Sequence, residues 1–356
     1  MTQGLQKRNL ASMSLTELTE YVKSLGEGAF RAKQIYGWIC KGAEIGEMTN
    51  LPVHLRERLK EECVSFGVHI RECVTSKIDG TEKYLYELTD GNIIEGVRMR
   101  YHYGDTLCVS TQVGCRMGCR FCASTLEGCV RDLEAGEILG QILAVNRRIH
   151  DEDEKANGIH NVVLMGSGEP LDNYDNTVKF LRLLNAPEGL NLSLRNVSLS
   201  TCGLVPRMRQ FANEGLPVTL SVSLHAPDDE IRKQLMPVAN AYSIDDILDA
   251  CREYIAKTGR RVIFEYALVR GVNCSDDCAD KLAARLRGMQ CHVNVIPLND
   301  VKERQLEGPD ERMIQGFLKR LEMRHISATR RREMGDDIQG ACGQLRRSRL
   351  EGEANA

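Results

Sequence analysis

Three closely spaced cysteines are the residues of this chain that most clearly suggest chemistry. Cys115, Cys119 and Cys122 follow the spacing C-x3-C-x2-C in the segment GCRMGCRFCAS. Three thiolates on one short loop can bind three irons of a cubane iron–sulfur cluster, which leaves the fourth iron open to a substrate or cofactor. Phe121 beside the last cysteine would help to shield such a cluster from water. A structural zinc site with Cys129 as the fourth ligand is the alternative.

The elements that must position this loop alternate between strands and helices. From residue 105 onwards, apolar runs typical of buried strands are separated by amphipathic stretches. The predicted strands are residues 106–112, 161–166, 195–201, 217–225, 261–269 and 292–298, with 325–331 as a further candidate. The clearest predicted helices are residues 134–149, 176–185 and 243–258. This alternation predicts an α/β fold with a parallel sheet, and the number of units indicates a partial (β/α)6-type barrel.

In a barrel of this kind, functional residues gather at the carboxyl ends of the strands. The cysteine loop, residues 166–170, residues 200–203, His225 and Asn299 all follow predicted strands. We therefore expect them to surround one mouth of the barrel.

The regions outside the barrel have a different character. Residues 14–70 read as short helices, whereas residues 70–103 alternate and contain Asp90-Gly91, which is a hairpin signal. We therefore predict four parts: an N-terminal helical accessory domain (1–75), a β-hairpin extension (76–100), a core barrel (101–335) and a C-terminal tail (336–356).

Composition narrows the class of protein. The chain has 356 residues, of which 42% are apolar and 27% charged, and its net charge is −3. These values exclude a disordered chain and a uniformly basic surface. The 14 cysteines accompany no signal-peptide pattern and no apolar run of about 18 residues. We therefore expect reduced thiols, a cytoplasmic location and no membrane partner.

A cysteine loop that opens a strand–helix barrel resembles the radical S-adenosylmethionine (SAM) superfamily. In that superfamily the open iron is chelated by the amino and carboxylate groups of SAM. An electron from the cluster then cleaves the sulfonium and yields a 5′-deoxyadenosyl radical. The resemblance implies one [4Fe–4S] cluster, SAM as the cofactor, and Cys115, Cys119 and Cys122 as the metal ligands.

The segment MGSGEPL (165–171) resembles the G-E-P motif that follows the second strand in this superfamily. Gly168 would let the backbone approach a ligand closely, and Glu169 can accept a hydrogen bond from the methionyl ammonium of SAM. An ordinary turn between a strand and a helix also explains the glycines of this segment, and a lone histidine such as His225 is commonly a structural residue. The assignment of these residues to SAM therefore depends on the resemblance. The other residues predicted to bind SAM are Ser200, Ser223, Leu224, His225 and Asn299.

Two cysteines outside the loop also suggest chemistry. Cys342 lies in GDDIQGACGQLRRSRL, where its small neighbours suit a tail that inserts into a crowded site. Cys108 lies in the first predicted barrel strand, seven residues before Cys115. A buried apolar role is the alternative for Cys342.

Six segments in order resemble the RlmN family of dual-specificity RNA methyltransferases: LCVSTQVGC, MGSGEPL, SLSTCG, SLHAP, NVIPLN and GDDIQGACGQL. In that family a first SAM methylates a tail cysteine, which the resemblance places at Cys342. A second SAM yields the radical that removes hydrogen from the S-methyl group, so two SAM molecules are used per methylation. The carbon radical adds to C2 of an adenine and forms a covalent protein–RNA adduct.

The resemblance also implies how this adduct is resolved. Glu95, in NIIEGV, would remove the C2 proton. Cys108 would attack the sulfur of Cys342 and leave a transient Cys108–Cys342 disulfide, which must be reduced before the next turnover.

The resemblance implies RNA partners as well. The family modifies adenosine 2503 of 23S ribosomal RNA and adenosine 37 of certain tRNAs, and it needs an electron donor such as flavodoxin or ferredoxin. The target base must leave its stack to reach a buried mouth. Residues 319–349 hold nine Lys/Arg and four Asp/Glu, a local excess that suits RNA phosphates. We expect a monomer.

Three other functions remain open at this point. A Cfr-type enzyme, which methylates C8 of the same adenine, shares the cluster and both additional cysteines, although Cfr-type sequences tend to have Ala where this chain has Pro170. A non-catalytic RNA-binding module with zinc would be colourless rather than brown. A radical SAM activase that acts on a protein would not require Cys342.

Overall fold

The computed structural model describes residues 7–298 and 306–338. Two predicted site residues, Asn299 and Cys342, lie outside these ranges, and so does the basic pair Arg346-Arg347. No helix in the two described ranges combines the length and the apolar character needed to cross a membrane.

Helices and strands of the described residues alternate over most of the chain. The helices are α1 (Leu15–Ser24), α2 (Phe30–Ile39), α3 (Val53–Glu62), α4 (Ala135–Glu152), α5 (Tyr174–Asn185), α6 (Val205–Ala212), α7 (Asp229–Leu235), α8 (Ile244–Thr258), α9 (Asp276–Leu286) and α10 (Glu311–Met323). The first strands are β1 (Arg8–Asn9), β2 (Cys63–Val64), β3 (Val68–Thr75), β4 (Glu82–Leu88), β5 (Ile93–Tyr101), β6 (Gly104–Cys108), β7 (Gln112–Gly114) and β8 (Cys129–Asp132). The later strands are β9 (Asn161–Leu164), β10 (Val197–Thr201), β11 (Thr219–Ser223), β12 (Val262–Leu268), β13 (Cys291–Pro297) and β14 (Ala328–Arg330).

One ten-stranded sheet organises the molecule, in the order β14-β13-β12-β11-β10-β9-β6-β5-β4-β3. The strands from β6 to β14 pair in parallel, whereas β3, β4 and β5 add to the β6 edge in antiparallel register. Crossovers through helices are what parallel pairing requires, because consecutive parallel strands cannot be joined by a tight turn. The predicted α/β fold with a parallel sheet is confirmed.

The first barrel strand is shorter than the sequence predicts. It ends at Cys108 rather than at residue 112, because the backbone leaves the sheet at Ser110. The Ser110 N–H donates to the Gln141 side chain at 2.9 Å, and the Thr111 N–H donates to the Ser167 carbonyl at 2.8 Å. β7 then pairs with β8 in a separate two-stranded sheet, so the predicted strand is in fact two strands with a sharp corner.

The N-terminal helices pack on the barrel rather than forming a separate core. Leu18 of α1, Ile35 of α2 and Leu59 of α3 belong to the same buried apolar cluster as Leu139 of α4. α1 begins at a reciprocal capping box formed by Ser14 and Glu17. The division of the chain into four parts stays a prediction.

Candidate active site

The side chains that face inward from the parallel strands surround a cavity of about 290 Å³. Because side chains alternate along a strand, residues of neighbouring strands that pair in register point to the same face. Eight of the predicted ligand-binding residues line this cavity together: Cys115, Cys119, Cys122, Gly168, Glu169, Ser200, Ser223 and His225. The predicted gathering at one mouth is therefore what the described residues form.

The cysteine loop is held in place through its backbone. The Cys115 N–H donates to the Gly128 carbonyl at 2.8 Å, and the Cys122 N–H donates to the Cys119 carbonyl at 3.1 Å. Gly114 has a φ of +78°, and a Cβ at this position would collide with the Gly128 carbonyl, so only glycine allows the loop to close here. Cys115 and Cys119 are buried and Cys122 is half-buried.

The three thiols fit an iron–sulfur cluster by their chemistry and placement. Burial raises the pKa of Cys115 to about 12 and raises that of Cys119 as well, so a positive centre is needed to hold these thiols as thiolates. None of the three forms a disulfide.

Glu169 is fixed at the wall of the cavity by the turn after β9. Gly168 has a φ of +108°, and a Cβ there would lie 2.7 Å from the Gln112 Cβ, so a side chain does not fit. The Glu169 carboxylate accepts from the Cys202 N–H at 2.7 Å and from the Leu171 N–H at 3.1 Å. Burial raises the pKa of Glu169, while the hydrogen bonds from Cys202 and Thr201 oppose that rise.

His225 has both a structural and a cavity-lining role. Its φ of +56° is uncommon for a residue with a side chain, and its Nδ1 accepts from the Ala267 N–H at 2.8 Å. Burial, with a contribution from Arg232, lowers its pKa to about 3, so the ring is neutral. The Phe121 ring packs edge-on against it with centroids 4.5 Å apart, which connects the cysteine loop to the end of β11.

Leu224 differs from its neighbours in the predicted SLH segment. Its side chain is buried in the main apolar core and does not line the cavity, whereas Ser223 and His225 do. The Leu224 N–H donates to the Glu265 carbonyl at 3.1 Å. A ligand would therefore meet this segment mainly through its two flanking residues.

The two remaining described residues of the predicted site, Glu95 and Cys108, lie on adjacent strands. Cys108 pairs with Val97, and Glu95 precedes Val97 by two positions, so both side chains point to the same face of the sheet. Both are buried. The Lys83 Nζ, which is fully buried, lies 3.5 Å from the Glu95 Oε2. Cys108 forms no disulfide within the described residues, and its partner in the predicted disulfide, Cys342, lies outside them.

The predicted basic region is partly neutralised by its own neighbours. Arg330 pairs with Glu311 at 2.6 Å and with Glu333 at 3.2 Å, and Arg320 pairs with Asp280 at 2.6 Å. Arg331, in contrast, lines the cavity. The local excess of positive charge counted from the sequence therefore overstates what this surface offers to phosphates.

Sequence reasoning missed three buried charged residues around the site. Glu265 is the one charged residue of β12, VIFEYAL, which was a usable signal, whereas Lys83 lies beside Glu82 in β4, EKYLYEL, and does not stand out there. Arg232, on the short helix α7, donates to the Cys202 carbonyl at 2.7 Å and to the Leu224 carbonyl at 3.3 Å. It holds the ends of β10 and β11 together, and nothing in its local sequence indicates this role.

Comparisons with known proteins define the class of enzyme. Residues 109–277 match the model of the Radical SAM superfamily, and residues 8–64 match that of the ribosomal RNA large subunit methyltransferase N-terminal domain. A crystal structure of a radical SAM methyltransferase from Sphaerobacter thermophilus superimposes with a TM-score of 0.90 at 41% identity, covering 95% of this chain and 98% of that one. The fold and the cysteine loop are therefore those of a radical SAM methyltransferase.

Full-length relatives identify the family. The probable dual-specificity RNA methyltransferase RlmN of Alkaliphilus oremlandii (strain OhILAs) is 51% identical over 348 residues, 98% of this chain and 100% of the relative. The protein of the same name from Clostridium perfringens (strain 13 / Type A) is 52% identical over 343 residues, 96% of this chain and 97% of the relative. The chain belongs to the RlmN family of radical SAM RNA methyltransferases, and the Cfr-type alternative is not favoured. Membership implies a [4Fe–4S] cluster, SAM and an RNA substrate.

Proposed function

We propose that the chain methylates C2 of adenosine 2503 in 23S ribosomal RNA and of adenosine 37 in tRNAs. The observation that carries this proposal is the shared face of Glu95 and Cys108 on paired strands that lead into the cysteine loop. A base and a thiol in this arrangement suit the release of a covalent RNA adduct. The name of the relatives, dual-specificity RNA methyltransferase, supports two kinds of RNA target.

Each cofactor has residues of suitable chemistry in the cavity. Cys115, Cys119 and Cys122 would hold the cluster. Bound together, the cluster and SAM supply a 5′-deoxyadenosyl radical that takes hydrogen from a methyl group. The SAM molecule would be held by Gly168, Glu169, Ser200, Ser223, His225, the Leu224 backbone and, outside the described residues, Asn299. An electron donor such as flavodoxin or ferredoxin would reduce the cluster, and we expect the enzyme to act as a monomer.

Cys342 would carry the methyl group, which it takes from one SAM before a second SAM is cleaved. Two SAM molecules are therefore used per methylation. The Cys342 methylene radical would bond to C2 of the adenine and give a radical adduct. This adduct must lose one electron, for which the cluster that Cys115, Cys119 and Cys122 would hold is the acceptor, and Glu95 would then take the C2 proton. The Lys83 ammonium, 3.5 Å away, compensates the charge of the Glu95 carboxylate in this buried position.

Cys108 would then release the product. Its thiolate attacks the sulfur of Cys342, so that an S–S bond forms and the C–S bond breaks. The electron pair stays on the methylene carbon, which takes a proton and becomes the methyl group. A dithiol reductant must restore both thiols, because the disulfide holds neither a methyl acceptor nor a resolving thiol.

The test uses anaerobically purified, cluster-loaded protein with SAM, a reductant and unmodified 23S RNA or tRNA. Nucleosides are then identified by mass spectrometry in wild type, Cys342→Ala and a control, Cys291→Ala, which alters a half-buried thiol of β13 outside the cavity. We expect 2-methyladenosine from wild type and the control, and none from Cys342→Ala. Formation of 8-methyladenosine, or SAM cleavage without any methyladenosine, would contradict the proposal.

A further inference from the structure

A buried carboxylate in the cavity has no role in the steps proposed so far. Glu265 of β12 is 3% exposed and lines the same cavity as the three cysteines. Its Oε1 accepts from the Asn294 amide at 3.1 Å. Its Oε2 is buried and has no hydrogen-bond partner within the described residues.

The position of this carboxylate is set by both neighbouring strands. Glu265 pairs in register with Ser223 of β11 and with Asn294 of β13, so the three side chains form one row on the inner face. The Glu265 carbonyl accepts from the N–H groups of Leu224 and His225, at 3.1 and 3.3 Å. The strand therefore cannot shift to bring Oε2 another partner, and a buried acceptor left unpaired destabilises the protein unless a ligand supplies a donor.

The surroundings of Glu265 point to a neutral ligand group that donates hydrogen bonds. Burial raises the pKa of the Glu265 carboxyl, while the Arg331 guanidinium, which also lines the cavity, opposes that rise. Because an arginine already compensates part of its charge, Glu265 does not require a cation. Acidic side chains inside nucleotide-binding folds accept hydrogen bonds from ribose hydroxyls, since the sugar offers donors without charge.

We propose that the Glu265 Oε2 accepts a hydrogen bond from a ribose hydroxyl of SAM and so positions the adenosyl group against the cysteine loop. The inference rests on the proposed function, in which SAM occupies this cavity. Ser223, the next residue in the row, is already assigned to SAM, so one sugar can contact both side chains. Glu265 is then a residue that selects ribose over deoxyribose.

The first experiment leaves the protein unchanged and alters the ligand. Equilibrium binding of SAM, 2′-deoxy-SAM and 3′-deoxy-SAM is measured on the cluster-loaded wild type, with iron content recorded in parallel. We expect at least one deoxy analogue to bind about ten- to a hundredfold more weakly than SAM, the range for one hydrogen bond to a charged acceptor. Equal binding of all three ligands would overturn the role of Glu265 and leave the proposed function intact.

The second experiment tests whether Glu265 is the residue that distinguishes SAM from its deoxy analogues. Glu265→Gln and Glu265→Ala are compared with Ser221→Ala, which removes a hydroxyl from the inner face of β11 that contacts Ser198 at 3.0 Å and does not line the cavity. We expect Glu265→Ala to bind SAM about tenfold more weakly and to lose the preference for the ribose form. Ser221→Ala should keep both.

The remaining outcomes distinguish a failure of this inference from a failure of the proposed function. If Glu265→Ala keeps its SAM affinity and its preference but loses RNA methylation, the carboxylate faces the target adenine and the inference is wrong. If wild type holds its cluster and yet binds no SAM, the proposed function itself fails.

Discussion

The antiparallel and parallel parts of the ten-stranded sheet differ in how their buried charged groups are compensated. In the antiparallel part, Arg98 donates to Glu82 at 2.8 Å and contacts Asp105 at 2.6 Å, so its charge is compensated from both sides. In the parallel part, the inner face holds serines and the Glu265 carboxylate, whose Oε2 lacks a partner among the described residues. The antiparallel part compensates its buried charges internally, although the buried Tyr86 hydroxyl of β4 also has no partner among the described residues, whereas the parallel part holds a carboxylate oxygen that awaits a donor.

This difference indicates that the antiparallel and the parallel strands of the sheet have different roles. Unsatisfied polar atoms are tolerated where a ligand completes them, whereas a reactive side chain is positioned best by neighbours that are already satisfied. Glu95 belongs to the antiparallel part and is held by a buried ion pair with Lys83. The antiparallel strands therefore provide rigidity, and the parallel strands provide binding.

Arg131 connects the two parts. It donates to both oxygens of Glu137 in α4 at 2.8 Å, and to Asp90, in the turn between β4 and β5, at 2.6 Å. Since Arg131 itself lies in β8, close to the cysteine loop, the turn, the loop region and the barrel helix share one charged side chain.

The largest effect should come from the parallel part and should concern function rather than stability. We expect Cys119→Ala to reduce bound iron to background and to abolish methylation, because one cluster ligand is lost. The unfolding free energy of the cluster-free proteins should differ by about 1 kcal/mol or less, as measured by urea denaturation. Cys251→Ala, which alters a thiol buried in the apolar core, is the control and should keep its iron. Retention of the cluster by Cys119→Ala would contradict the assignment of the ligands.

The next effect should come from the antiparallel part and should concern stability. Arg98→Met leaves Glu82 and Asp105 without their buried partner, so we expect a loss of about 3–5 kcal/mol in the unfolding free energy. Arg58→Met of α3 removes an exposed pair with Glu62, and it should leave the unfolding free energy close to that of wild type, because solvent screens the pair. Similar losses in the two variants would show that burial of the Arg98 ion pairs adds nothing to stability.

Lys83→Met tests whether the rigid part also serves catalysis. The change keeps the length of the side chain but removes the charge beside Glu95, so we expect methylation to slow by about 100-fold through misplacement of the carboxylate. SAM binding and iron content should stay at the wild-type level, because neither residue lines the cavity. The measurements are single-turnover methylation and the amount of covalent protein–RNA adduct, with Lys281→Met on the surface as the control. An unchanged rate would limit Lys83 to a structural role.

The smallest effect should depend on pH at the junction between the parts. Burial tends to raise the pKa of Asp90, but hydrogen bonds from Arg131 and Asn92 outweigh it and lower the pKa to about 2. Because the pKa in the unfolded chain is about 3.9, the ionised carboxylate stabilises the fold above about pH 4 and loses this contribution as the pH falls towards 2.

The corresponding variant is Asp90→Asn. We expect its deficit in unfolding free energy to be present at pH 5 and to vanish near pH 2, as followed by urea denaturation. Since 40% of the Asp90 side chain is exposed, solvent screening should keep the deficit below about 1 kcal/mol. If the unfolding free energy of Asp90→Asn is lower than that of wild type by the same amount at every pH, the loss comes from packing and not from the charge of Asp90.

Much of the fold and part of the site could be predicted from local patterns. The spacing of Cys115, Cys119 and Cys122 and the GEPL turn are contiguous in the chain, so their chemistry is visible without a structure. The parallel strands were predicted because a buried strand is a continuous apolar run between turn residues. For Leu224 the motif does not say which part of the residue would meet a ligand, and the structure places its side chain in the core.

The chain alone therefore determined the kind of cofactor loop and the alternation of strands and helices. Only the tertiary structure decided that Glu95 and Cys108 share a face, that Lys83 is buried beside Glu95, and that Glu265 faces the cysteine loop's cavity. The physical reason is that these relations depend on strand register and strand order. A shift of one residue would turn each of these side chains to the opposite face of the sheet, and no local pattern specifies which distant strand becomes the neighbour.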